Sequence, residues 1–264
     1  MRIGLALSGG GARGIAHLGV LQALDEAGIK VDVISGASAG SIAAAFYAYG
    51  YSPSEILKIL EKTNLLKIAW PAFSTTGLLN IQRTEPIYAK YLADDHFEKL
   101  QIPLFISTTN LNSGKAEMFN TGSVRQAIMA SCCIPMIFEP VKIKGQHYVD
   151  GGIVNNMPTE VLLREHCDYI IGVNVVPIVP EDTFDGPKKM IERISMLALS
   201  ANVEMSAKLC DFYLNPREIR NFGTFDFKKS KELFEIGYEY TKYHLEILPD
   251  NDRLQQVLKD SKVK

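Results

Sequence analysis

The chain has 264 residues, enough for one substantial α/β domain, with 47% hydrophobic and 22% charged residues as in an ordinary packed protein. The 28 Lys and Arg against 30 Asp and Glu leave a formal net charge of -2, and no basic run marks a nucleic-acid binder. No apolar run reaches the ~18 residues of a membrane-spanning helix, and Cys132, Cys133, Cys167 and Cys210 follow no metal-ligand or disulfide-framework spacing, which suits a reduced, cytoplasmic protein.

Residues 3–7 form a short apolar run. Following Arg2 they superficially have the form of a secretory leader, but the run is short and passes straight into glycines, so it reads as a buried first strand. Ile15, Leu18, Leu21 and Leu24 lie at helical spacing and Gly28 stops them. A second apolar run, 31–34, is followed by another glycine turn and a helix-like stretch, 41–49. Strand, helix, strand, helix predicts a parallel sheet with right-handed crossovers. Ser52-Pro53 opens a further helix with Ile56, Leu57 and Leu60 on its apolar face.

Residues 64–82 carry Leu65, Leu66, Ile68, Trp70, Phe73, Leu78 and Leu79. Two readings stand: a mobile apolar lid lining an acyl-chain site, or a packed connection covering the sheet. Beyond it, a buried strand at 103–109 pairs with 116–119 across Asn112-Ser113-Gly114, and 124–131 is helical. A hairpin joins 141–143 to 147–149. The pattern then predicts a helix over 158–165, a strand over 169–175, one long helix over 188–209, a short strand over 211–214 and a last helix over 230–248. Residues 1–248 read as one domain, and the charged tail 249–264 is expected to fray.

Gly36-Ala37-Ser38-Ala39-Gly40 has the form G-x-S-x-G between a strand and a helix. A strand that turns sharply into a helix strains its corner residue and needs small neighbours; the corner side chain then projects above the sheet. A small-residue turn without chemistry has the same composition, so the pentapeptide alone does not decide. Gly9-Gly10-Gly11-Ala12-Arg13-Gly14 follows the first strand and formally contains G-x-G-x-x-G. A dinucleotide site would want a carboxylate at the tip of the second strand. Asp32 comes too early, and Asp25 and Glu26 end the helix. The same glycines can instead point N–H groups at one oxygen beside the serine corner. Arg13 would brace that loop or attract an anionic headgroup.

A serine hydroxyl needs a base within reach. His17 near a helix start reads as structural. His96 lies in a charged run, His166 and His244 on charged helices, and His147 in the hairpin. None has a loop setting that marks a triad member. Asp150-Gly151-Gly152 does: it ends an apolar strand, and two glycines permit close backbone approach.

These blocks in this order resemble the bacterial patatin-like phospholipase family. The resemblance rests on 9–14, 36–40, Asp150-Gly151-Gly152, the stretch 130–140, His17 to Leu21 and the late segment 211–216, so it covers roughly residues 1–216. It implies a three-layer α/β sandwich with a mostly parallel central sheet flanked by helices. It further implies a Ser38–Asp150 dyad without catalytic histidine, an oxyanion hole around Gly9, Gly10, Gly11 and Arg13, and Gly14, Gly36, Gly40, Gly151 and Gly152 in support. No metal or cofactor is implied. The expected activity is hydrolysis of phospholipid, lysophospholipid or simpler acyl esters through an acyl-enzyme. Transient contact with a membrane surface is the expected partnership, and peripheral attachment the expected variation on a cytoplasmic location. The alternative is a non-catalytic lipid- or protein-binding regulator that keeps the fold.

Overall fold

The computed structural model describes residues 1–63, 79–178, 180, 186–249 and 252–262. Strands β1 (Ile3–Leu7), β2 (Val33–Ala37), β3 (Leu104–Asn110), β7 (Tyr169–Val173) and β8 (Phe212–Leu214) run parallel in the order β3-β2-β1-β7-β8. β4 (Lys115–Phe119), β5 (Val141–Ile143) and β6 (Gln146–Asp150) extend the β3 side antiparallel. Every residue of β1, β2, β3 and β7 is buried, as a parallel sheet covered on both faces requires.

Side-chain alternation along these strands divides the core in two. Leu5, Leu7, Ile34, Ile106 and Ile171 face one way and pack with helices α1 (Ala16–Glu26), α2 (Ala39–Tyr49) and α3 (Pro53–Lys62). Ala6, Val33, Phe105 and Ile170 face the other way, toward Val161, Leu162 and Val203. The result is helices, sheet, helices. Ser52 and Glu55 close a capping box with Pro53 in the first turn of α3, the combination a helix start favours. Helix α4 (Glu85–Tyr91) packs on α5 (Val124–Ser131), which packs against β3 and β6. The lid reading of 64–82 falls largely on 64–78, outside the described residues; at its end Leu79 bridges Phe138 and Ile81 is buried.

Four features depart from the sequence pattern. α6 (Gly152–Asn155) directly follows the Asp150 turn, and α7 is confined to Glu160–Arg164. The long helix over 188–209 is two: α8 (Pro187–Ala201) and α9 (Val203–Ala207), broken at Asn202. Asn202 spends its carboxamide on the Gly152 carbonyl and the Asn156 N–H, tertiary bonds that no helical periodicity announces. The tail expected to fray is helical over α11 (Arg253–Lys262), with Leu254 and Leu258 buried and Asp252 accepting from the Tyr169 hydroxyl. Among the described residues no helix is long and apolar enough to cross a membrane.

α1 is seated against α10 (Ser230–Glu246) at small residues on both sides. A Cβ on Gly19 would lie 2.0 Å from the Phe234 carbonyl oxygen, and one on Gly237 2.1 Å from that of Ala16. Gly→Ala inside a helix ordinarily stabilises by about 1 kcal/mol, but here the added carbon meets backbone that cannot rotate away. Gly19→Ala is therefore expected to destabilise by about 1–3 kcal/mol, lowering Tm by about 2–4 °C per kcal/mol in a chain of this size. A thermal melt with unchanged or raised Tm would show that the helices separate freely.

Candidate active site

β1 and β2 end side by side, with Leu7 opposite Gly36, so the loops that follow them meet at one edge of the sheet. Ser38 occupies the corner after β2 with φ 48° and ψ -124°, immediately before α2. A non-glycine residue there is strained by about 1–3 kcal/mol, and the contacts around it explain how it is held. A Cβ on Gly36 would lie 2.6 Å from the Gly40 carbonyl oxygen, and one on Gly40 2.4 Å from that of Leu7. Strand, corner and helix are folded onto one another with no room for a side chain. Gly14 lies equally close to Ala39. From the other side, the Ser38 N–H donates to Ser131 Oγ at 2.8 Å, and Ser131 Oγ donates to the Ser107 carbonyl at 2.7 Å. Ser131 thus ties the corner to β3.

Asp150 is the last residue of β6, opposite Thr108 on β3. Its N–H donates to the Cys133 carbonyl at 2.9 Å, its carbonyl accepts from Thr109 Oγ1 at 2.9 Å, and its Oδ1 accepts from the Gly152 N–H at 2.8 Å. A Cβ on Gly151 would lie 2.0 Å from the Ser107 carbonyl oxygen, so the turn after Asp150 is pressed against the strand beside β2. Ser38 and Asp150 are 7% and 4% exposed. Burial pushes the Asp150 carboxyl up from 3.8 to about 6, while hydrogen bonding from the Ser38 hydroxyl and the Gly152 N–H opposes that rise. The carboxyl and the serine hydroxyl therefore share one desolvated space.

The glycine loop forms the third wall. A Cβ on Gly9 would lie 2.9 Å from Ser38 Cβ, which places this loop against the serine. Gly11 has φ 60° and leaves no space for a side chain beside the Thr224 carbonyl, which accepts from the Ala12 N–H at 2.8 Å. Of the residues expected around an oxyanion, Gly9 gives its N–H to Asn156, at 3.0 Å to Oδ1 and 3.2 Å to the main-chain oxygen. Gly10 and Gly11 keep N–H groups without a hydrogen-bond partner among the described residues. Arg13 is buried, and its Nε donates to the Phe222 carbonyl at 2.7 Å. That contact braces the loop from outside.

The histidines stand apart. His17 is fully buried under the loop with Nε2 2.7 Å from the Ser8 carbonyl oxygen, and burial lowers its pKa to about 4 against the opposing pull of that carbonyl. His96, His147 and His166 are exposed, and His244 bonds the Tyr240 carbonyl within its own helix. Among the described residues no histidine hydrogen-bonds Ser38 or Asp150. Ser131, Asn156 and Asn202, which hold the site together, are given no role by the sequence motifs. They are single polar residues with no local signature, assembled by tertiary contact. The nearest signal was the position of Asn156 just after the Asp-Gly-Gly turn.

A serine corner, a glycine loop and an Asp-Gly-Gly turn on this sheet define a patatin-like domain. The chain belongs to the patatin-like phospholipase family, whose profile matches residues 5–163. Among curated proteins it is similar to Lysophospholipase NTE1 of Saccharomyces cerevisiae, 28% identical over 97% of this chain and 17% of the relative. It is likewise similar to Lysophospholipase nte1 of Aspergillus fumigatus, 29% identical over 96% of this chain and 19% of the relative. The chain thus spans about a fifth of the length of these relatives. In fold it is similar to VipD from Legionella pneumophila, with TM-score 0.59 and 19% identity over 98% of this chain and 67% of that one. Human GIVD cytosolic phospholipase A2, solved in complex with methyl gamma-linolenyl fluorophosphonate, gives TM-score 0.54 and 12% identity over 100% of this chain and 60% of that one.

Proposed function

We propose that the protein is a serine acyl hydrolase of lipid esters, with Ser38 as nucleophile and Asp150 as general base and acid. The observation that carries this reading is the strained Ser38 corner facing a buried carboxyl whose pKa is raised to about 6. Ser38 Oγ attacks the ester carbonyl carbon as its proton passes to the Asp150 carboxylate, and the resulting oxyanion lies at the Gly10 and Gly11 N–H groups. The C–O bond to the alcohol breaks, and Asp150 returns its proton to that alcohol. Water then attacks the acyl-enzyme, gives its proton to Asp150, and releases the carboxylic acid with the Ser38 hydroxyl restored.

Two observations favour a lipid acyl ester, with a lysophospholipid as the first choice. The curated relatives are named lysophospholipases. The turn after Asp150 also runs into exposed apolar side chains, Ile153 and Val154 on α6. A Cβ on Gly152 would lie 2.5 Å from Leu199 Cδ2, so α8 is packed directly against the catalytic turn. An apolar rim of this kind suits substrates presented at a lipid surface.

The reading is tested with the purified protein, a fluorophosphonate probe, p-nitrophenyl esters of graded chain length and a lysophospholipid. Expected are fatty-acid release and a covalent adduct on the tryptic peptide from Val31 to Lys58, which contains Ser38. A folded protein that binds lipid but neither labels nor turns over any ester would favour the binding-regulator alternative.

A further inference from the structure

We propose that Asn156 is a positioning residue for acyl transfer, the clamp that sets the glycine loop against the turn bearing Asp150. This rests on the assignment of Ser38 and Asp150 as the reacting groups. Asn156 is wholly buried. Its Oδ1 and its main-chain oxygen both accept from the Gly9 N–H. The same Oδ1 reaches the opposite wall of the site. A Cβ on Gly9 would lie 2.6 Å from it and 2.9 Å from Ser38 Cβ; a Cβ on Gly152 would lie 2.5 Å from it and 3.1 Å from Asp150 Oδ1. One carboxamide oxygen is therefore wedged between the residues on either side of the reaction.

Asn156 is itself fixed from behind. Its N–H donates to Asn202 Oδ1 at 2.8 Å, and Asn202 Nδ2 donates to the Gly152 carbonyl at 3.1 Å. A closed circuit runs from Gly9 through Asn156 and Asn202 to Gly152, two residues from the base. It explains why the helix breaks at Asn202. It also gives the loop its division of labour: Gly9 is turned inward to hold the loop, and Gly10 and Gly11 are left to meet the oxyanion.

The other end of the carboxamide is unspent. Asn156 Nδ2 is buried with no hydrogen-bond partner among the described residues, a costly state for an amide donor. A donor left in that state fits a partner present only during turnover, and the charges that come and go here are those of Asp150 and the oxyanion. The neutrality of the amide matters too. An aspartate would accept from Gly9 equally well, but would put a second carboxyl beside Asp150, and two neighbouring carboxyls do not ionise together.

Two variants of the full chain test this on a p-nitrophenyl ester, with Tm and amide hydrogen exchange over residues 7–14 measured alongside. Asn156→Ala is expected to lower kcat about 10²-fold through the displaced loop, with KM within about threefold of wild type, and to speed exchange at the loop. Asn156→Asp is expected to keep the loop protected yet move the acid limb of kcat/KM to higher pH by about one unit or more. A merely structural asparagine would alter Tm without moving that limb. Asn156→Ala with kcat within about threefold of wild type, or Asn156→Asp with an unmoved acid limb, overturns the proposal. Should Asn156→Ala not fold, Asn156→Asp alone decides it. Should the wild type turn over no ester, the functional reading fails separately, and unchanged loop exchange in Asn156→Ala overturns the clamp.

Discussion

Replacing Ser38 by alanine is expected to lower kcat by about 10⁴–10⁶-fold and abolish fluorophosphonate labelling, leaving the residual rate that positioning and oxyanion binding supply without a nucleophile. The strained backbone adds a second, independent readout. Ser38 is held at φ 48°, ψ -124° by Gly36 and Gly40 packing and by the Ser131 hydrogen bond to its own N–H. Those constraints act on the backbone, so alanine inherits the strain in full and gains little stability. Glycine adopts these angles without penalty, so Ser38→Gly is expected to be more stable than Ser38→Ala by about 1–3 kcal/mol while equally inactive. Equal melting temperatures for the two variants would mean that the corner stores no strain. Turnover surviving in both would remove Ser38 from the chemistry.

That corner was legible in the sequence because its cause is local. A strand that must reverse into a helix within five residues leaves few choices at Gly36, Ser38 and Gly40, and the glycine loop and Asp-Gly-Gly turn carry similar local restrictions. The parallel strands were legible for a related reason: β1, β2, β3 and β7 are buried on both faces and read as short continuous apolar runs. What stayed hidden depends on partners far along the chain. Ser131 lies 93 residues from the N–H it accepts, and Asn156 lies 147 residues from Gly9. The break between α8 and α9 follows from Asn202 reaching 46 residues back to Asn156, against a periodicity that continues undisturbed. The tail misled differently. Its charged residues suggested fraying, but Leu254 and Leu258, four apart, put one helical face into the core. That signal was present and outweighed by composition.

Asp150→Asn is expected to be slower and more stable at once, and both effects come from one buried charge. As the proposed base, Asp150 must be ionised to accept the Ser38 proton, so kcat/KM of the wild type should rise about tenfold per pH unit below about 6 and level off above it. Asparagine cannot take the proton, and kcat should fall by about 10³–10⁴-fold. Folding works the other way. Below 3.8 the carboxyl is protonated in folded and unfolded chains alike and contributes nothing. Between 3.8 and about 6 the folded protein keeps a proton that the unfolded chain has lost, so stability declines as pH rises. Above 6 the folded protein carries the whole penalty, about 3 kcal/mol for a shift of this size. Asparagine can still accept from the Gly152 N–H but has no charge to desolvate, so Asp150→Asn should raise Tm at pH 7–8 and lose that advantage toward pH 4. Melts of both proteins across that range, set beside the pH–rate profile, read the same ionisation twice. An acid limb near 6 without a matching decline in wild-type stability would assign the limb to another group. A variant that gains stability yet keeps wild-type turnover would leave Asp150 buried, charged and without a part in catalysis.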